Sequence, residues 1–178
     1  MKHAFQIYFT FLFCLCVFLS SCKKDIEGCT DNTAMNYDVE ANLDNGSCIY
    51  FYDIAQGVWG ISPDCEEYTI PIIGTTISLN DQLPESIDVQ GGGNNMLYID
   101  INGTQVDGSI DSQGNLTVPN QTIQIDMGFG PMDIDVEGSG FIESDISGNL
   151  DLTYAFEIET IPGFPIAESL DCAISLSK

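Results

Sequence analysis

The sequence predicts an all-β protein whose strands follow one another as an antiparallel up-and-down meander. The first indication is a hydrophobic period of two, which recurs from Tyr50 to the end of the chain and is typical of half-buried strands. The second is a series of short Gly-, Asn- and Asp-rich turns between the apolar runs. No run shows a convincing helical period, so the pattern favours about eight short strands joined by tight turns.

The alternation is clearest in the second half of the chain. Residues 150–158 alternate large apolar side chains with polar or small ones, and Leu170, Cys172, Ile174 and Leu176 are in phase with one another near the end of the chain. Asn102-Gly103 stands between two alternating runs, which is the strongest short-range signal for a hairpin. A meander of this kind closes into a barrel or folds into a sandwich, because both arrangements limit exposed strand edges.

Two features favour the barrel. Gly57-Val58-Trp59, on the first predicted strand, resembles the Gly-x-Trp signature of lipocalin-like barrels. The arginine that usually packs on that tryptophan has no counterpart, because this sequence contains no arginine. In a closed meander the first and last strands are neighbours, so Cys65 and Cys172 can form a disulfide. The side chains expected to line the barrel are Trp59, Ile99, Ile125, Leu152, Tyr154 and Phe156.

The N-terminal residues are typical of a targeting segment. Lys2 and His3 precede a run of apolar residues, 4–19, which ends at Leu19-Ser20-Ser21-Cys22. This arrangement resembles the lipobox of bacterial lipoproteins, which implies removal of residues 1–21, acylation of Cys22 and attachment to the cell envelope, for which we expect the outer membrane. The alternative is an uncleaved anchor, since the run is close to the roughly 17 residues that a spanning helix needs.

Residues 22–50 form a predicted stalk module before a β-barrel domain at 51–178. Cys29 and Cys48 bracket a polar loop that is too short to bury a core, and a disulfide between them would stabilise it by about 3 kcal/mol. The pattern resembles a small cysteine-bracketed module of bacterial surface and secreted proteins. Side-chain oxygens in this module could bind calcium or could cap turns. The candidate calcium ligands are Asp31, Asn36, Asp38 and Asp44.

The charge distribution excludes many functions. All 27 acidic residues lie between Asp25 and Ser177, a span that contains no Lys, Arg or His. Phosphates could not be neutralised there, which excludes nucleic acid as a partner. A Ser or Cys nucleophile would lack a basic partner, and zinc would lack an imidazole. Four cysteines follow Cys22, at positions 29, 48, 65 and 172. Their wide spacing favours disulfides over a four-cysteine zinc site.

Three functional hypotheses remain. The first is a non-catalytic binding domain for a small neutral or apolar ligand or a glycan. The second is a structural or surface-interaction protein that presents an acidic face to a partner or to cations such as calcium. The third is a hydrolase that uses carboxylates alone. Its candidate acids are the pairs Glu66 and Glu67, Asp133 and Asp135, and Glu157 and Glu159.

Overall fold

The computed structural model describes residues 24–70, 74–80, 82–101, 104–126, 130–161 and 164–178. The predicted signal peptide 1–21 and Cys22 lie outside these residues, so cleavage and acylation stay predictions. No helix in the described part of the chain is both long and apolar enough to cross a bilayer.

The chain forms twelve strands and one short helix in the described residues. In order these are β1 (Glu27–Gly28), β2 (Leu43–Asp44), α1 (Phe51–Ala55), β3 (Gly57–Cys65), β4 (Glu67–Thr69), β5 (Thr76–Ser78), β6 (Ser86–Gly93), β7 (Met96–Ile101), β8 (Thr104–Ile110), β9 (Asn115–Asp126), β10 (Pro131–Ile142), β11 (Ser147–Ile161) and β12 (Phe164–Ser177). Helix α1 was not predicted, because five residues are too few to establish a period of 3.6.

Eight of these strands form a closed antiparallel barrel. Its order is β3, β6, β7, β8, β9, β10, β11 and β12, and β12 then pairs with β3. The prediction of an all-β, closed up-and-down barrel is therefore confirmed, and the alternative of a sandwich is wrong. The parallel pair β1–β2 lies in the N-terminal module, while β4 and β5 form a separate hairpin between β3 and β6.

The longest strands, β11 and β12, show how the period of two builds the core. Leu152 is opposite Cys172, and Tyr154 is opposite Leu170, with all four side chains buried. The intervening residues face outwards, because successive side chains of a strand point to opposite sides. Period-two alternation therefore places the apolar side chains of both strands inside the barrel.

A predicted disulfide joins the two strands that close the barrel. Cys65 on β3 is directly opposite Cys172 on β12, with 3.9 Å between their Cα atoms. The side chain of Asn80 extends the pairing on the other side of β3, where its Oδ1 accepts a bond of 2.8 Å from the Cys65 amide. Both predicted disulfides are confirmed, since Cys29 and Cys48 are also bonded.

The segment that follows β3 closes one end of the barrel. Ile70, Ile77 and Leu79, in and beside the β4–β5 hairpin, are buried in the same core as the barrel side chains. The ring of Tyr68 lies edge-on to that of Phe156, with 6.4 Å between their centroids. The core therefore continues from the barrel into this hairpin.

Removal of the barrel disulfide should destabilise the domain strongly. The change Cys65→Ala with Cys172→Ala opens a cross-link between residues 107 positions apart. We expect the free energy of unfolding to fall by about 2–5 kcal/mol, because the unfolded chain regains the entropy of a large loop. Urea unfolding followed by the fluorescence of Trp59, the single tryptophan, measures the effect.

The matched control is Cys29→Ala with Cys48→Ala, which removes the other disulfide. Its loop lies outside the barrel, so the transition reported by Trp59 should move much less. Equal shifts for the two double variants would contradict the assignment of the Cys65–Cys172 bond to barrel closure.

Candidate functional site: an apolar cavity beneath a short helix

The predicted lining residues lie inside the barrel where the structure describes them. Trp59, Leu152, Tyr154 and Phe156 are each at most 8% exposed, and Ile99 is half-buried against them. The side chain of Ile125 lies outside the described part of the structure. For the residues that the structure describes, the prediction therefore identifies side chains of the core. It does not distinguish the side chains that face a cavity from those in the packed part of the interior.

An apolar cavity of about 70 Å³ lies at the end of the barrel nearest α1. Of the predicted lining residues, only Trp59 and Ile99 contact it. The full lining is Ala55, Trp59, Ile87, Val89, Leu97, Tyr98, Ile99, Val106, Asp107, Gly108, Ser109, Leu116, Thr117, Val118, Ile142, Leu150 and Leu176. Drug-sized ligands need about 300 Å³ or more, and about 150 Å³ admits benzene, so this cavity fits only a slender apolar group.

A contact between Trp59, α1 and Lys178 covers this end of the barrel. The indole Nε1 of Trp59 donates a buried bond of 2.7 Å to the Ala55 carbonyl. The ammonium of Lys178 lies 4.4 Å from the centroid of the Trp59 ring and donates to the carbonyls of Ile54 and Gln56. An arginine usually packs on this tryptophan in lipocalin-like barrels, and this sequence contains no arginine. Lys178 provides the cation on Trp59 instead. Partial burial lowers the pKa of Lys178, while the nearby Asp145 opposes that shift.

The cavity extends into a seam between β8 and β9. These strands pair only at Ser109–Thr117 and Ile110–Leu116. Beyond these pairs, the side chain of Gln121 on β9 forms the hydrogen bonds that a paired backbone would otherwise make with Asp107 on β8. Its Oε1 accepts from the Asp107 amide at 2.9 Å, and its Nε2 donates to the Asp107 carbonyl at 2.8 Å. Both half-buried Val118 and exposed Asp107 contact the cavity, which therefore reaches the wall at this seam.

Tyr154 lies in the packed part of the interior and does not contact the cavity. Its hydroxyl makes no hydrogen bond with any residue that the structure describes. Burial raises the pKa of Tyr154 to about 12, because the interior disfavours the phenolate. The side chain is therefore a neutral core aromatic at physiological pH.

The four candidate calcium ligands are engaged within their own module. Asp31 accepts bonds from Thr33, and the amides of Glu40 and Gly46 donate to Asp38 and Asp44 respectively. Asn36 bonds to Ser47 and Ile49 through its side chain. The hydrogen bonds from Thr33 contribute most to lowering the pKa of Asp31. The lowered pKa keeps the carboxylate of Asp31 ionised.

These contacts cap turns, which is the second of the two roles that the sequence left open. The described residues contain no group of three or more His, Cys, Asp or Glu side chains that could hold a metal ion. Calcium binding by Asp31, Asn36, Asp38 and Asp44 stays a prediction.

The acidic residues proposed for catalysis or surface interaction lie on the outside of the barrel. A groove of about 740 Å³ crosses β9, β10, β11, β12 and the end of β3. Its carboxylates belong to Asp64, Glu66, Glu137, Asp151 and Asp171. Asp133, Asp135 and Glu157 share a separate groove, where Thr122 donates to Asp135 at 2.6 Å. All of these acidic side chains are exposed, and the hydrolase and acidic-face hypotheses stay predictions.

Comparison of the chain with protein-family models, with curated proteins and with solved structures finds no match. The likeness to lipocalins therefore remains a resemblance, carried by Gly57-Val58-Trp59 and by the closed meander. The same holds for the lipobox and for the cysteine-bracketed module.

Replacement of Lys178 by methionine should weaken the α1 end of the barrel. The change Lys178→Met keeps a long side chain but removes the charge over Trp59 and the bonds to two carbonyls at the end of α1. We expect a loss of about 1 kcal/mol in the free energy of unfolding, together with faster quenching of Trp59 by acrylamide. Lys24→Met is the control, because Lys24 is exposed and, among the described residues, its only hydrogen bond is one that its backbone carbonyl accepts from Asn42. Equal effects of the two changes would contradict a specific role for Lys178.

Proposed function

We propose that this protein is an envelope-anchored lipoprotein whose barrel binds a slender apolar or neutral ligand group without catalysis. The observation that carries the proposal is the apolar cavity of about 70 Å³ beneath α1, bounded by Trp59, Leu97 and Val106. Binding sites for small molecules are concave, mostly apolar and usually preformed, and this cavity has those properties on a small scale.

The size of the cavity defines the class of ligand. It suits the end of an alkyl chain, whereas a complete drug-sized molecule would not fit. Each buried CH₂ contributes about 0.8 kcal/mol, so four carbons give about 3 kcal/mol and a dissociation constant in the millimolar range or weaker. A longer ligand would extend outwards along the seam between β8 and β9, where the side chain of Gln121 bridges to the backbone of Asp107.

The chemistry of the lining supports binding rather than turnover. Asp107 is the one acidic residue that contacts the cavity, and it is exposed. The lining contains no His, Lys or Arg to act beside it as a base or as a stabiliser of negative charge, and the nearby Lys178 donates to the carbonyls of Ile54 and Gln56.

The proposed anchor agrees with the distribution of charge. Lys23 and Lys24 follow Cys22 directly, where they would lie beside lipid headgroups, and the chain beyond them is acidic. An anionic membrane surface would repel the barrel, and residues 25–50 would hold it away from the bilayer.

Occupation of the cavity should quench Trp59. We expect n-butyl bromide, a slender alkyl probe with a heavy atom, to give saturable quenching, because Trp59 lines the cavity and is the single tryptophan. The change Val89→Phe places a larger side chain in the cavity and should abolish saturation. The same change at Val58, which is 62% exposed on β3, should leave it intact.

The outcome that overturns the binding proposal is quenching that rises linearly with probe concentration in the folded protein. Saturable quenching that survives Val89→Phe would equally exclude the cavity as the site. Urea unfolding of each variant, followed by Trp59 emission, establishes that the comparison is made between folded proteins.

Replacement of Cys22 should abolish lipid attachment. The change Cys22→Ser removes the thiol that accepts the acyl chains, so we expect loss of labelled palmitate. Cys16→Ser is the matched control, because Cys16 lies in the segment predicted to be removed. A protein with Cys22 intact that sediments with membranes but takes up no labelled palmitate would favour an uncleaved anchor instead.

A further inference from the structure

A second concave site lies where the N-terminal module meets the barrel. This junction cleft has a volume of about 450 Å³ and is lined by Thr33, residues 50–52, Asn95, Asp111 and Ser112. Its volume falls within the roughly 300–1,000 Å³ of small-molecule sites, unlike that of the interior cavity. It is formed by three separate parts of the chain: the module, α1 and the turns that flank β7 and β8.

Three consecutive aromatic residues form one side of the junction cleft, and each is held in place. Tyr50 donates its hydroxyl to Asp31 at 2.9 Å, and the hydroxyl of Tyr52 accepts from the Gly93 amide at 2.8 Å. The ring of Phe51 packs against that of Phe141, with 6.3 Å between centroids. All three residues of this series are only half-buried, so ordered aromatic surface remains available to a ligand.

The other side of the junction cleft is polar and equally well ordered. Asp111 accepts bonds from the amides of Gln113 and Asn115 and from the side chain of Asn115, at 2.7–2.9 Å. These bonds fix the carboxylate, and its oxygens have capacity for a further donor. The hydroxyl of Ser112 accepts from Gln113 and keeps its own hydrogen for donation. The side chain of Asn95 makes no hydrogen bond with the described residues, so it can both donate and accept.

We propose that the junction cleft binds a neutral carbohydrate. A sugar presents apolar C–H faces, which pack on aromatic rings, and hydroxyl groups, which donate and accept hydrogen bonds at once. The aromatic series 50–52 and the polar groups of Asn95, Asp111 and Ser112 match those two requirements. An anionic sugar would meet the carboxylate of Asp111 with no cation in the lining of the cleft, so the ligand is neutral.

The test uses the protein as extracted from its host membranes in a polyoxyethylene detergent, because a glycoside detergent would compete for the junction cleft. An array that carries neutral and anionic oligosaccharides is probed first, and the neutral oligosaccharide that is retained best is then titrated by calorimetry. We expect retention of neutral oligosaccharides only.

Two asparagines in one turn provide matched variants. Asn94 and Asn95 both have positive φ, of 52° and 63°, so glycine is tolerated at either position. Only Asn95 lines the junction cleft, so Asn95→Gly should weaken binding about fivefold to tenfold, and Asn94→Gly should leave it unchanged.

Three results would each overturn this proposal: no retained neutral oligosaccharide, equal retention of anionic ones, or equal effects of the two variants. Quenching of Trp59 by n-butyl bromide is measured on the same proteins and reports the interior cavity alone. Failure at one site is therefore distinguishable from failure at the other.

Discussion

The pairing of β12 with β3 determines the rest of the structure. It converts a linear meander into a barrel, and it brings together residues that are more than a hundred positions apart, such as Cys65 and Cys172. The same pairing brings Lys178 back to α1, where it covers Trp59. Both the disulfide and the covered end of the interior cavity are consequences of barrel closure, and neither could form on an open sheet.

The barrel is stabilised with almost no help from opposite charges. No charged side chain among the described residues is buried, and Lys24 and Lys178 are the only cationic side chains that the structure describes. Stability comes from the apolar interior, from the backbone hydrogen bonds of eight strands and from the covalent link between β3 and β12. The carboxylates repel one another on the outside, which favours solubility and costs stability in low salt. The cross-link is therefore more important here than in a barrel with balanced charge.

Much of this fold was predictable because its signals are local. Alternation along residues 150–158 determines which side chains enter the core, and the turns separate the strands. The interior cavity was not predictable from the sequence. Leu152 and Ile99 occupy equivalent apolar positions in the period-two pattern, although only Ile99 contacts the cavity. That difference depends on how side chains from several strands fill a shared volume. The contacts of Gln121 with Asp107 and of Lys178 with Trp59 also depend on the three-dimensional arrangement, because each joins residues that are distant in sequence. The junction cleft had no single sequence signal, since its residues come from three parts of the chain.

The position of β12 in the chain also affects the order in which the protein can fold. Of the barrel strands, β3 is synthesised first and β12 last, so the barrel stays open until β12 has been synthesised. During that interval the unpaired edges of β3 and β12 are available to other strands, and pairing over such long sequence separations is slow. The acidic residues that alternate along β10, β11 and β12 reduce that hazard, because two incomplete chains repel each other. The acidic charge, which meets only two cationic side chains in the described residues, therefore protects the chain while the barrel is incomplete.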